Sequence, residues 1–181
     1  MAKLYIIMGV SGAGKSTLAS ALARHFGYHY LDADDFHSES AKAHMAGGAP
    51  LTDAMRKPWI ERICTHLHEL AHRDESVVLA FSGLKKAHRD PLRECGLETH
   101  FLFLDGDAPT ISERMSAREG HFMPPSLLDS QFESLERPDM AREPDIEPLS
   151  ITPPIPGVLE RAIELVHYLE EQSPSDSAHQ R

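Results

Sequence analysis

The stretch Gly9-Val10-Ser11-Gly12-Ala13-Gly14-Lys15-Ser16 has the residue types and spacing to hold a triphosphate. It fits G-x-x-x-x-G-K-[ST] and lies between an apolar run and a helical pattern, the context that this motif requires. Glycines reach backbone conformations that other residues avoid, so successive N–H groups can converge on one anion. The positive end of the following helix adds to that field. Lys15 supplies a point charge for the β- and γ-phosphates, and the Ser16 hydroxyl is a hard oxygen suited to Mg²⁺. Gly9, Ser11, Gly12, Ala13, Gly14, Lys15, Ser16 and Thr17 are the expected nucleotide-binding residues.

Asp32 and Asp34 stand two apart, so in an extended segment both carboxylates point the same way. Beside Mg²⁺ and phosphates, one can organise the metal's water shell while the other accepts a proton from an attacking hydroxyl. The residues alone do not rank the two. A phosphate cradle names a nucleoside triphosphate and not a reaction. The chain has no N-K-x-D for guanine and is too short for a motor ATPase, which leaves a small-molecule kinase as the better fit. Arg114 and Arg118, four apart on one helix face, lead into Glu119-Gly120-His121-Phe122. This pattern suits a lid over residues 118–136 that carries a cation to the transferring phosphoryl and excludes water.

These residues need a scaffold, and the apolar pattern predicts one. Strands are expected at Leu4–Met8, Tyr28–Leu31, Val77–Phe81, His100–Leu104 and Ile146–Ile151, each nearly all apolar. Helical patterns fall between them at Ser16–Phe26, Ser38–Gly47, a segment capped by Thr52, Lys86–Cys95, Thr110–Arg118, Leu127–Leu135 and Val158–Leu169. Alternation of this kind predicts an α/β fold of three layers, α/β/α, around a parallel sheet of about five strands with a helical lid. Ligands bind such sheets at the carboxyl ends of the strands, where both candidate clusters fall. Residues 1–172 are expected to form one kinase domain and 173–181 a polar, disordered tail.

Composition removes other classes. The 181 residues carry 18 Lys+Arg against 28 Asp+Glu, a net charge of −10, which offers no broad cationic field for nucleic acid or anionic lipid. No apolar run reaches the roughly 20 residues of a membrane span, and the N-terminus has no secretory pattern, so a cytoplasmic address is expected. The two cysteines, Cys64 and Cys95, lie far apart and indicate no disulfide framework, with Cys64 expected in the core. His66, His68 and His72 share a helix, but without H-E-x-x-H they read as a solvated face.

The motifs taken together resemble the gluconokinase family, small P-loop kinases related to shikimate kinase. The resemblance rests on Met8–Ser16, Leu31-Asp-Ala-Asp-Asp-Phe-His37, Gly48-Ala-Pro-Leu-Thr-Asp53, Arg56-Lys-Pro-Trp59 and Leu84-Lys-Lys86. It continues through Arg89-Asp90, Leu92-Arg93, Arg118-Glu-Gly-His-Phe122 and Ser130–Glu136. It implies transfer of the ATP γ-phosphoryl, with Mg²⁺, to the terminal hydroxyl of D-gluconate, giving 6-phospho-D-gluconate, in a homodimer. By that analogy Lys15, Asp34 and Arg118 are catalytic, with Asp34 the base, and Arg114 joins the nucleotide site. Ser16 and Asp32 would hold the metal, and Asp32, Asp34, His37, Arg56, Lys85, Arg89 and His121 the small anionic acceptor. Arginine suits a carboxylate because its planar fork fixes orientation as well as charge. The chain departs from the family pattern at Ser38, Ala41, His44, Met55, Gly83 and His88, around the acceptor side. A kinase of another sugar acid or a shikimate-like polyol acid, or a non-catalytic ATP-binding module, are the rival readings.

Overall fold

A computed structural model of the chain describes residues 2–10, 12–49, 51–116 and 125–172. Strand β1 (Lys3–Met8) reads KLYIIM and is buried at every position, as a strand covered on both faces must be. Around it lie β2 (His29–Asp32), β3 (Val77–Ala80), β4 (Glu98–Asp105) and β5 (Ile146–Ser150), in the order β2-β3-β1-β4-β5. Every described pairing is parallel, with Leu4 opposite Val77 on one side and Thr99 on the other. Helices α1 (Lys15–Phe26), α2 (Glu39–Ala46), α3 (Asp53–His72), α4 (Lys86–Arg89), α5 (Ala108–Ser116), α6 (Pro125–Ser134) and α7 (Ile155–Glu171) complete the chain.

Alternation along β1 decides which helices cover which face. Leu4, Ile6 and Met8 enter one core with Trp59, Ile63 and Leu67 of α3. Tyr5 and Ile7 enter the other with Leu18 and Leu22 of α1 and Val158, Ala162 and Val166 of α7. The result is the expected three-layer α/β/α architecture. The carboxyl end of β1 opens into the crevice where the strand order reverses, the position that binds ligands in such sheets.

Several local expectations change. β2 is an edge strand with His29 and Tyr30 exposed, because only one neighbour and one helical layer cover it. The helix expected over Lys86–Cys95 breaks into α4 and a 3₁₀ turn at Asp90–Glu94. Pro91 explains this, since it lacks the N–H that would close the next α-helical hydrogen bond, while Asp90 keeps helical backbone at φ −55° and ψ −43°. A further 3₁₀ turn, Ala33–Phe36, follows β2. Cys64 is half-buried against the edge of the core that holds Trp59 and Ile63, and both it and Cys95 reach Pro91 O where α3 packs on the Asp90–Glu94 turn. Of the expected lid, residues 118–124 lie outside the described residues and α6 forms most of the remainder; the expected tail, 173–181, also lies outside them.

Candidate active site

The phosphate loop follows β1 directly. Gly9 donates its N–H to Ser82 O at 3.1 Å, holding the loop against the strand end after β3. Its φ is +149°, and a Cβ there would stand 3.1 Å from the Leu104 carbonyl oxygen, so both backbone and space require glycine. Gly14 begins α1 in left-handed conformation at φ 98°. That first turn has no side-chain cap and no acidic residue, which leaves its amides oriented to receive an anion. Gly12 and the buried Ala13 complete the described loop, Thr17 is exposed on α1, and Ser11 lies outside the described residues. Lys15 Nζ donates to Val10 O at 3.0 Å, bending the side chain back over its own loop. Burial lowers the Lys15 pKa below the ordinary lysine value, while the charges of Asp34 and Asp32 oppose the shift.

Asp32 ends β2 and caps the 3₁₀ turn that carries Asp34. One carboxylate oxygen accepts the Asp34 N–H at 3.0 Å; the other accepts Ser16 Oγ–H at 2.8 Å and the Tyr30 hydroxyl at 3.3 Å. Two hard oxygens, Ser16 Oγ and Asp32 Oδ2, thus meet at the head of α1. This donor set fits Mg²⁺, which takes one or two protein oxygens and completes its shell with phosphates and water. Among the described residues no group of three or more His, Cys, Asp or Glu could hold a metal, so a cation here would share its ligands with nucleotide.

Asp34 projects into solvent with its side chain 82% exposed. The His37 imidazole, Nε2 at 3.7 Å from Asp34 Oδ1, holds that carboxyl below the ordinary aspartate range, and the Lys15 ammonium adds to the effect. His37 itself is 3% exposed and stacks on Trp59 with ring centroids 4.3 Å apart. His37, expected at the acceptor, is enclosed against the indole, and the carboxylate of Asp34 stands between its Nε2 and solvent. Trp59 anchors the same turn, donating Nε1–H to Ala33 O at 2.6 Å. The sequence offers Trp59, the one tryptophan of the chain, only as the end of the motif Arg56-Lys-Pro-Trp59.

The acceptor-side cations gather around a carboxylate that sequence reasoning quoted but did not assign. Asp53, at the start of α3, lies 3.3 Å from Lys85 Nζ, 3.5 Å from His88 Nε2 and 3.7 Å from Arg56 Nη1. Lys85, and then His88, hold Asp53 below the usual range; burial, then Arg56, lowers the His88 pKa. These residues rim a cavity of about 490 Å³ whose inner wall includes Ile60, Cys64 and Pro91. Arg56 and Lys85, expected together, are together.

Arg89 is not available to an acceptor. It is 1% exposed and its Nε and Nη2 meet Glu143 at 2.9 and 2.7 Å. Its Nη1 meets Gly83 O at 2.7 Å and Glu136 O at 3.3 Å. Glu136 also donates its N–H to Leu84 O at 2.7 Å, so the chain leaving α6 is tied to the loop after β3. Arg93 extends the network to Glu143, Asp145 and Asp90. Glu143 escaped sequence reasoning because the charged, proline-interrupted run around it reads as a connector. Arg114 Nη2 donates to the carbonyls of Ile151 and Pro153, fastening α5 to the loop after β5. Arg118 and His121 lie outside the described residues. No described helix is long and apolar enough to cross a membrane.

The family model described as an AAA domain matches residues 4–138. The thermosensitive gluconokinase of Escherichia coli (strain K12) is 43% identical over 162 residues, covering 90% of this chain and 86% of that one. A crystal structure of a gluconokinase from Sinorhizobium meliloti 1021 is 36% identical with TM-score 0.76, over 92% of this chain and 97% of that one. An unliganded sugar kinase from Janibacter sp. HTCC2649 is 40% identical with TM-score 0.84, over 92% and 95% of the two chains.

Proposed function

The chain belongs to the gluconokinase family, and from that premise we propose how its own residues phosphorylate gluconate at the expense of ATP. It is a phosphotransferase with an alcohol acceptor, D-gluconate, and its product is 6-phospho-D-gluconate. The observation that carries the residue roles is the chain of contacts from Ser16 to Asp32 to Asp34, which joins the phosphate loop to a projecting carboxylate.

The N–H groups of Gly12 and of Gly14 to Thr17, with the Lys15 ammonium, bind the triphosphate and offset the charge that spreads over the transferring phosphoryl. Ser16 and Asp32 would hold Mg²⁺, which supplies further charge neutralisation at the β- and γ-phosphates when bound. Asp34 receives the proton of the terminal hydroxyl. Its lowered pKa keeps it ionised at neutral pH, and a loose phosphoryl-transfer transition state asks more for orientation than for a strong base. Arg56 and Lys85 grip the anionic acceptor, with Asp53 holding both side chains between turnovers. By motif position Arg118 is the catalytic cation of the closing lid, His121 meets the acceptor, and Arg114 lies on the nucleotide side. A homodimer in the cytosol, where ATP is supplied, completes the reading.

The test is ADP release by purified protein with Mg-ATP and a panel of gluconate, other aldonates, shikimate and nucleoside monophosphates. Gluconate is expected to give the highest kcat/KM. ADP release that no acceptor in the panel increases would defeat the proposal.

A further inference from the structure

Cys64 and Cys95 come from separate parts of the chain and converge on one oxygen. Each thiol reaches the carbonyl of Pro91, Cys64 Sγ at 3.8 Å and Cys95 Sγ at 3.4 Å. Cys64 lies on α3, half-buried, in the wall of the cavity rimmed by Arg56 and Lys85; Cys95, just past the Asp90–Glu94 turn, is 1% exposed. Each thiol also acts on the other, which lowers the pKa of Cys64 and, together with burial, raises that of Cys95. Phosphoryl transfer uses neither. A half-buried thiol of the lower pKa, facing a cavity and sharing one carbonyl with a buried partner, is the arrangement that thiol–disulfide exchange requires.

We propose that Cys64 and Cys95 form a reversible dithiol–disulfide site, opened to small disulfides through the cavity beside the acceptor residues. The Cys64 thiolate attacks one sulfur of a small disulfide such as oxidised glutathione, forming a mixed disulfide and releasing one glutathione thiolate. Cys95 loses its proton and attacks the Cys64 sulfur, which expels the second glutathione. The protein dithiol is oxidised by two electrons, and one glutathione disulfide is reduced to two thiols. Closure brings the sulfurs to about 2.0 Å and ties α3 to the segment after α4. Arg56 lies on α3, and Lys85 and His88 lie at the start of α4, one turn before that segment, so the bond acts on the acceptor side rather than on the Gly9–Ser16 loop.

The full chain is incubated in glutathione redox buffers, quenched with acid, and assayed by thiol titration and non-reducing peptide mapping. Loss of two thiols per chain and a single peptide pair linking Cys64 to Cys95, both reversed by dithiothreitol, are expected. Cys95→Ser should stop at a glutathione adduct on Cys64, and Cys64→Ser should leave Cys95 unreacted. A wild-type chain that keeps both thiols, stops at the adduct or forms only links between chains overturns the site. The oxidised enzyme should show a gluconate KM raised at least about threefold with the ATP KM unchanged, since small displacements of positioning residues have large effects. Equal gluconate KM values overturn the link to the acceptor side. That last readout rests on the gluconate reading, whereas thiol titration and mapping do not; absence of turnover in the reduced enzyme would sink only the former.

Discussion

Arg89→Met separates a residue that grips substrate from one that holds the fold. The substitution keeps an unbranched apolar stem and removes a guanidinium that makes paired bonds to Glu143 and single bonds to Gly83 O and Glu136 O. Both charges are buried, at 1% and 4% side-chain exposure. Removing one member of a buried pair typically costs about 3–5 kcal/mol, because the other charge is left uncompensated. Here Arg93 Nη2 remains 3.0 Å from Glu143 Oε1, so the loss belongs near the lower end, about 3 kcal/mol. For a chain of this size that lowers Tm by roughly 6–12 °C. Urea unfolding followed by Trp59 fluorescence and circular dichroism measures it. Replacing both partners, Arg89→Met with Glu143→Leu, should recover part of the loss, since no charge is then stranded opposite the methionine. The kinetics of the single variant should show a lower kcat through the loosened loop after β3, with gluconate KM changed less than about threefold. A loss of stability below about 1 kcal/mol, together with a gluconate KM raised tenfold or more, would refute the reasoning and return Arg89 to the acceptor site.

Other consequences follow from the same geometry. Lys15→Ala and Asp34→Asn should each lower kcat at least about 10²-fold with Tm nearly unchanged, and steady-state ADP release checks both. Ser16→Ala should raise the Mg²⁺ concentration for half-maximal rate by about tenfold, because one of two protein oxygens at the metal position is removed; an unchanged Mg²⁺ titration would exclude Ser16 as a ligand. Glu170 predicts an acid limb of stability. Burial raises its pKa, but donation from Lys3 at 2.7 Å, Tyr28 at 2.6 Å and Tyr5 at 2.8 Å outweighs this and holds the carboxyl below its ordinary value. A carboxyl depressed in the folded state stabilises the protein above its unfolded pKa, and that contribution is lost as pH falls through the lower folded value. The urea midpoint should therefore fall below about pH 4.5, and Glu170→Gln should flatten that limb while lowering the plateau at neutral pH.

Short-range chemistry was legible in the sequence because the backbone obeys it locally. Glycines at 9 and 14 admit positive φ, Thr52 caps α3 with its hydroxyl 3.2 Å from Met55 N, and apolar runs mark the central strands whatever surrounds them. From those residues alone come the phosphate cradle and the three-layer sheet; the pairing of Asp32 with Ser16 at the start of α1 came from the family resemblance. The partner of a long side chain is a different matter. Arg56 and Arg89 read alike as cations beside motif residues, yet one rims a cavity and the other is enclosed by Glu143, far along the chain. Likewise Asp53 among Lys85, His88 and Arg56, His37 beneath Trp59, and two distant thiols on one carbonyl required α3 to be packed against the turns at Ala33–Phe36 and Asp90–Glu94. A charged or sulfur-bearing group takes its role from desolvation and from what lies within a few ångströms, and those neighbours are set by long-range packing.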